Sequence, residues 1–398
     1  MQHREASAEP QFEFDAALDP FAPEAIRHLA ARYGSPLLVI DAQRLRRQYR
    51  RLADALPNVD LHYALKPLPH ASVVAVLADE GAFFDLATNG EVDLVRRARV
   101  DARRCIHTHP IKRDGDIRTA LAYGVDTFVV DNPDELRKFV KYRSRAQLLI
   151  RIAFRSPDAV CDLSRKFGCD PGAALDLLEL AAALGIRVAG LSFHVGSQVS
   201  GPGMHVEAIG ICSDLLRRAA LRGHALGILD IGGGFPVDYA EPVPPIDVFC
   251  APIRAALSEL APGLRIIAEP GRFIAAPAAA AVATVMGRAQ RGEHWWYYLD
   301  DGVYGSYSGR MYDRAHYSTT ALVPDGATYP SVLAGPTCDS IDVIDENVQL
   351  PKLDIGALIM GRSMGAYTWA SATEFNFFPK ATVLAIDRGR LWRDPPPR

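Results

Sequence analysis

Between about residues 60 and 272 the chain alternates short apolar runs with amphipathic stretches of helical period. The runs stand at 62–66, 83–87, 105–109, 127–131, 148–153, 189–195, 228–231 and 266–269. Each is too short for a stable helix and is bounded by polar or turn residues, so each reads as a buried strand. Between them lie stretches with apolar residues at helical spacing, such as 91–98, 133–142, 172–184 and 204–222, several opened by Asp, Asn or Pro in capping positions. Parallel strands joined by crossover helices produce this order, and eight strand–helix units predict a (β/α)8 TIM barrel.

After Arg272 the pattern changes to alternating, aromatic-rich and β-branched runs, including 294–299, 331–334 and 357–360, separated by Gly, Pro and Asp. Alternation of period two predicts an antiparallel β-sandwich or β-barrel unit, making an α/β plus β chain. The expected division is an N-terminal segment over 1–35 that packs with the β unit, a barrel over 36–275 and the β unit over 276–398. The run Pro36–Ile40 fits a strand of either module. The first ten or so residues and 394–398 read as loose tails.

Length agrees with two modules, since 398 residues exceed the roughly 250 of a barrel alone. Hydrophobic residues at 49% and charged residues at 23% are the proportions of a soluble globular protein. A net charge of −3 supplies no basic field, which excludes nucleic acid and leaves small molecules or copies of the same chain as expected partners. The apolar stretch 277–286 is too short to span a bilayer, and residues 1–20 are too polar for a signal-peptide core. No membrane association and a cytoplasmic location are therefore expected. Six cysteines without a C-x-x-C pair argue against zinc and against a disulfide framework; they are expected to be reduced core thiols, with Cys338 as the exception.

The chemistry gathers at the strand ends. Lys66 closes an apolar run and is followed at once by Pro67, which makes it a candidate Schiff-base lysine. Asp85, Arg151, His194, Gly232 to Gly234 and Glu269 also fall at or just beyond strand C-termini, the catalytic face of a TIM barrel. Pyridoxal phosphate needs an amine, phosphate donors, an acid beside its ring nitrogen and a flat group against its ring. Gly233 and Gly234 allow backbone N–H groups to approach a phosphate, although such a triplet also serves as a tight turn. Arg272 and Ser197 add donors. Glu269 suits the ring nitrogen, its alternative being an ion pair with Arg272 across the Pro270–Gly271 turn. His194 suits the ring face, or else is a structural histidine. No metal is expected, because His107 and His109 have no third ligand at plausible spacing.

Taken in order, Lys66, Ser192–Ser197, Leu229–Phe235, Glu269–Arg272 and Gly335–Asp339 resemble the fold-type III pyridoxal-phosphate decarboxylases, the ornithine, lysine and diaminopimelate group, over nearly the whole chain. The resemblance implies an alanine-racemase-like barrel with pyridoxal 5'-phosphate on Lys66, Asp85 and Glu91 close by, and Arg151 at the mouth. It places His194 on the ring and Glu269 on the ring nitrogen, with Ser197, Gly233, Gly234, Gly271, Arg272 and Tyr367 around the phosphate. It also implies a homodimer whose sites are completed by the partner's β unit. Tyr312–Asp313, Gly335–Asp339, Met364–Thr368 and Phe375–Asn376 are similar to the ornithine branch. By that likeness Asp313 and Asp339 face the distal ammonium, Tyr304 and Phe375 line the substrate, and Cys338 protonates the carbanion. Two carboxylates hold an ammonium and repel a terminal carboxylate, which suits a basic amino acid.

Pro67 and Trp369 depart from the pattern, and Trp369 would either narrow the pocket or pack beneath it. L-Ornithine to putrescine is the expected reaction. Lysine, or a modified or D-configured basic amino acid, would use the same cofactor residues. A diaminopimelate decarboxylase, a racemase and a non-catalytic homologue are less favoured, the last because Lys66 and Cys338 are both present.

Overall fold

A computed structural model describes residues 18–154, 159–161, 164–239 and 241–392. The expected tails lie outside these residues. Eight parallel strands close into a barrel: Val59–Ala64, Phe83–Leu86, Cys105–His107, Thr127–Val130, Gln147–Ile152, Arg187–Phe193, Ile228–Asp230 and Arg265–Ala268. The expected runs coincide with them to within a few residues.

The pleat explains how this barrel is both filled and reactive. Ile106, Val129, Leu149, Ala189, Ile228 and Ile267 form one compact buried cluster, contributed by successive strands. Side chains two residues apart share a face, so the same strands carry Thr108 above Ile106, Arg151 above Leu149, Asp230 above Ile228 and Glu269 above Ile267. An apolar floor thus lies one pleat step below a polar ring. Gly190 is required in this layer, since a Cβ there would stand 2.0 Å from the Ile228 carbonyl oxygen.

Of the other strands, Ala159–Cys161 and Ser197–Val199 pair as a two-stranded ribbon and the rest form a nine-stranded sheet. The early strand Leu37–Asp41 belongs to it, pairing antiparallel with Ala279–Arg291 and parallel with Thr382–Asp387. The barrel unit therefore begins after this strand and not at residue 36. The expected antiparallel sheet is in fact mixed, because His294–Leu299 also runs parallel to Thr328–Ala334. Alternation reports which face is buried and is blind to strand direction. Helix Pro23–Tyr33 buries Ile26 and Leu29 against Leu37, Val39, Val282 and Met360 of this sheet, contacts that stabilise by about 1.5–3 kcal/mol per fully buried side chain. Among the described residues no helix is long and apolar enough to cross a membrane.

Candidate active site

Lys66 follows the first barrel strand by two residues. Its side chain is open to solvent although protein atoms surround it, the situation of a residue set in a concave mouth. Burial lowers its amine, but Tyr367, Asp85 and Glu269 outweigh that and raise it above the usual lysine range. The carboxyls are raised as well, which for them favours the neutral form. Asp85 is pushed up to about 7 by burial and then by Glu269, although the Thr108 hydroxyl donates to it. Glu91 is pushed up to about 7 by burial, while accepting the Thr88 N–H at 3.1 Å in a capping box that starts helix Asn89–Arg97.

Glu269 is buried, and its Oε1 has no hydrogen-bond partner among the described residues. Burial first and the neighbouring Asp230 second raise it well above the carboxylate range, so the pair shares a proton carried by Glu269. Asp230 is itself raised to about 6 by burial and accepts the Gly232 N–H at 2.9 Å. An acid with an unpartnered buried oxygen is what a ring nitrogen would complete. The ion pair between Glu269 and Arg272 considered above does not form.

The glycine loop has the form of an anion cradle. Its three carbonyls are all engaged: Gly232 accepts from Glu269 N–H at 2.7 Å, Gly233 from His205 Nε2 at 3.0 Å and Gly234 from Val199 N–H at 3.2 Å. The N–H groups of Gly233 and Gly234 donate to no acceptor among the described residues. Gly232 and Gly234 hold φ of +67° and +102°, and a Cβ at Gly233 would lie 2.7 Å from the Glu269 carbonyl oxygen, so side chains are excluded. His194 accepts the Gly196 N–H on Nδ1 at 3.1 Å, which leaves its ring proton on Nε2. Burial, then Lys66 and Arg151, hold this ring well below its usual pKa and neutral.

Arg272 is the hub of the phosphate side. It donates to Ser197 Oγ at 3.0 Å, to the Tyr239 hydroxyl at 2.9 Å and to Asp313 at 2.7 Å, with the Tyr367 ring 4.8 Å from its guanidinium carbon. Burial opposes its charge, but Tyr239 and Asp313 outweigh that and raise it further. Tyr367 adopts a left-handed φ of 55° and donates its N–H to the Pro67 carbonyl at 3.2 Å. That bond ties the β unit to the Lys66 turn. Gly271 is needed beside it, because a Cβ would lie 2.6 Å from Pro67 Cγ. Outside Arg272 and Asp313 opens a cavity of about 340 Å³, walled by Tyr239, Pro236 and His316.

The other expected residues stand elsewhere. Cys338 is exposed and donates its N–H to Asn376 Oδ1 at 3.1 Å. Asp339 accepts the Tyr304 hydroxyl at 2.5 Å, and Tyr304 stacks on Phe375 with centroids 4.4 Å apart. Among the described residues no hydrogen bond, ion pair or ring contact joins this cluster to the Lys66 mouth. Asp313 bonds to Arg272 and Asp339 to Tyr304, with no shared partner among the described residues. Cys105, Cys212 and Cys250 are buried. His107 is buried, while His109 accepts the Ile111 N–H and its ring meets Phe167. Trp369 donates Nε1 to the Ala381 carbonyl at 3.0 Å and packs edge-on against His70.

Sequence reasoning missed Asp230, Tyr239, His205 and Thr108. Asp230 stood inside a recognised run and alternates onto the Glu269 face, a signal that was available. Tyr239 comes from an irregular loop and gave none.

The residues present fit pyridoxal phosphate: an amine in the mouth, free backbone donors beside an arginine, and an unsatisfied buried acid. Comparison with known proteins agrees. Residues 42–276 match the family described as pyridoxal-dependent decarboxylase, pyridoxal binding domain. The lysine/ornithine decarboxylase of Selenomonas ruminantium is 36% identical, over 91% of this chain and 92% of that protein. The ornithine decarboxylase of Caenorhabditis elegans is 34% identical, over 90% and 89%. The crystal structure of the Vibrio vulnificus lysine/ornithine decarboxylase complexed with putrescine is 54% identical, with a TM-score of 0.89, over 94% of this chain and 100% of that one. By family match, identity and shared fold, this chain belongs to the pyridoxal-dependent decarboxylases.

Proposed function

We propose that the chain decarboxylates a basic L-amino acid, with ornithine as the first substrate and putrescine as the product, in a homodimer with shared sites. The observation that carries the chemistry is the buried Glu269 acid, short of one partner, on the same face as Lys66. Lys66 would bind the cofactor aldehyde, and the Gly233 and Gly234 N–H groups, Ser197 and Arg272 would hold its phosphate, backed by Tyr367. Gly271 serves this arrangement by making room for Pro67. When bound, pyridoxal phosphate supplies an electron sink for the pair left as carbon dioxide departs.

The chain's own groups do the rest. Glu269, supported by Asp230, would hold a proton for the ring nitrogen. Neutral His194 would face the ring without adding charge. Asp85 and Glu91 balance the Lys66 and Arg151 cations at the mouth. Cys338 of a second copy gives its proton to the α-carbon, so that a proton replaces carbon dioxide and a diamine leaves. Its exposure and its separation from this chain's Lys66 support that shared arrangement. Asp313 at the mouth and Asp339 of the second copy hold the distal ammonium, with Tyr304 and Phe375 of the second copy lining the substrate stem. A substrate ending in a carboxylate would meet like charge there.

Lysine is the companion substrate, supported by relatives named for both amino acids. A panel of both enantiomers of ornithine and lysine, with arginine and diaminopimelate, analysed by chromatography of the products, tests the assignment. Putrescine from L-ornithine as the leading product is expected; turnover confined to diaminopimelate or to a D-amino acid would overturn it.

A further inference from the structure

We infer that Phe377 is a specificity residue acting in the second copy of this chain, where it enters the barrel mouth beside Cys338 and Asp339 and closes the far end of the substrate space. This rests on the shared-site reading above.

Phe377 is 98% exposed, the most exposed of the large hydrophobic side chains among the described residues. It is also held in the left-handed region at φ 61°, directly after Asn376 at φ 55°. A bulky aromatic residue is disfavoured there, and strain of this kind persists only where surrounding contacts impose it. Those contacts are present. Asn376 Oδ1 accepts the Cys338 N–H at 3.1 Å, Phe375 stacks on Tyr304, and the Phe377 N–H donates to the Glu374 carbonyl at 2.9 Å. The turn therefore fixes an unpaired phenyl group to the loop that carries Cys338 and Asp339, and nothing in its own chain covers it.

The occupant that fits is the Lys66 mouth of a second copy. Exposed Ile341, Met311 and Tyr312 extend the apolar face on the same unit, too much uncovered surface for isolated hydrophobic residues. The acid carried on the same loop is Asp339, which follows the Cys338 that Asn376 holds. Any movement that carries Cys338 to the reacting carbon of the other copy carries Phe377 with it. An acid beside a rigid phenyl group reads an ammonium and limits the methylenes before it, so the site measures chain length.

Phe377→Ala and Phe377→Leu would be compared with wild type by kcat/KM for ornithine and for lysine, with cofactor content and dimerisation measured alongside. A pocket change of one methylene is worth about ten- to two-hundredfold. The expected result is a lysine-to-ornithine ratio raised by about tenfold in the Ala variant, less in Leu, with cofactor content retained. Mixtures locate the effect. In a mixed dimer of Lys66→Ala and Cys338→Ala chains, the intact site takes Lys66 from the Cys338→Ala chain and Cys338 from the Lys66→Ala chain. Phe377→Ala added to the Lys66→Ala chain should shift the ratio, and added to the Cys338→Ala chain should leave it unchanged. An unshifted ratio in active mixtures, or a shift from the wrong chain, overturns the role of Phe377 alone. Mixtures that exchange subunits and stay inactive overturn the shared site and this role together.

Discussion

The barrel mouth and the Cys338 face handle polar groups in opposite ways. In the mouth, buried carboxyls stand beside cations with their pKa values displaced, and groups without a hydrogen-bond partner among the described residues include Glu269 Oε1 and the N–H groups of Gly233 and Gly234. On the Cys338 face the groups are solvent-exposed and locally bonded, and apolar rings stand uncovered. On the function proposed above, the first region would hold the cofactor and the second would be offered to another copy of the chain, so that one chain contributes to two different sites.

The largest effect should come from the mouth. Glu269→Gln keeps the shape but loses the shared proton with Asp230, and removing a preorganised electrostatic group of this kind costs about a hundred- to a thousandfold in kcat. Cofactor content should hardly change, and wild-type turnover in that variant would remove Glu269 from the chemistry. A change on the exposed face should have the complementary signature. In Asp339→Ala a substrate ammonium loses one carboxylate partner. kcat/KM for ornithine should fall by orders of magnitude with normal cofactor binding, and unimpaired ornithine activity would refute the diamine pocket.

A smaller effect separates the regions through pH. Asp85 is raised to about 7 in the folded mouth, against about 3.9 in an unfolded chain. Its contribution to stability is complete below the unfolded value and is lost as pH rises through about 7, because the folded state holds the proton longer. Glu91, raised to about 7, and Asp230, raised to about 6, act in the same direction. Buried His62, His107, His194 and His205, held below their usual pKa, act in the opposite direction, so the test is the difference between cofactor-stripped proteins: from about pH 4 to 7 wild type should lose stability relative to Asp85→Asn by about 4 kcal/mol. Parallel thermal-denaturation curves for the two proteins across that window would contradict the mouth's electrostatics.

What the sequence made legible follows from locality. Barrel strands announce themselves in short, mostly apolar runs of four to seven residues, and each reactive side chain sat at or near the end of its own strand, so Lys66, Asp85, His194 and Glu269 could be named without contacts. Pairing across long separations was hidden. Nothing in Leu37–Asp41 says that its neighbours are Ala279–Val282 and Thr382–Ile386, and so the sheet's mixed direction was not foreseen. Asp313 was recognised but its partner was not, since Arg272 reaches it across 41 positions. Tyr239 owes its place to that same arginine and carries no pattern of its own.

Mixing purified Lys66→Ala and Cys338→Ala chains, each inactive alone, tests most directly whether the two halves serve different copies. With subunit exchange verified, the mixture should recover about a quarter of the wild-type rate, the share expected for random pairing in a two-fold dimer with one intact site per mixed pair. A mixture that exchanges subunits and remains inactive would show that each chain builds its site alone.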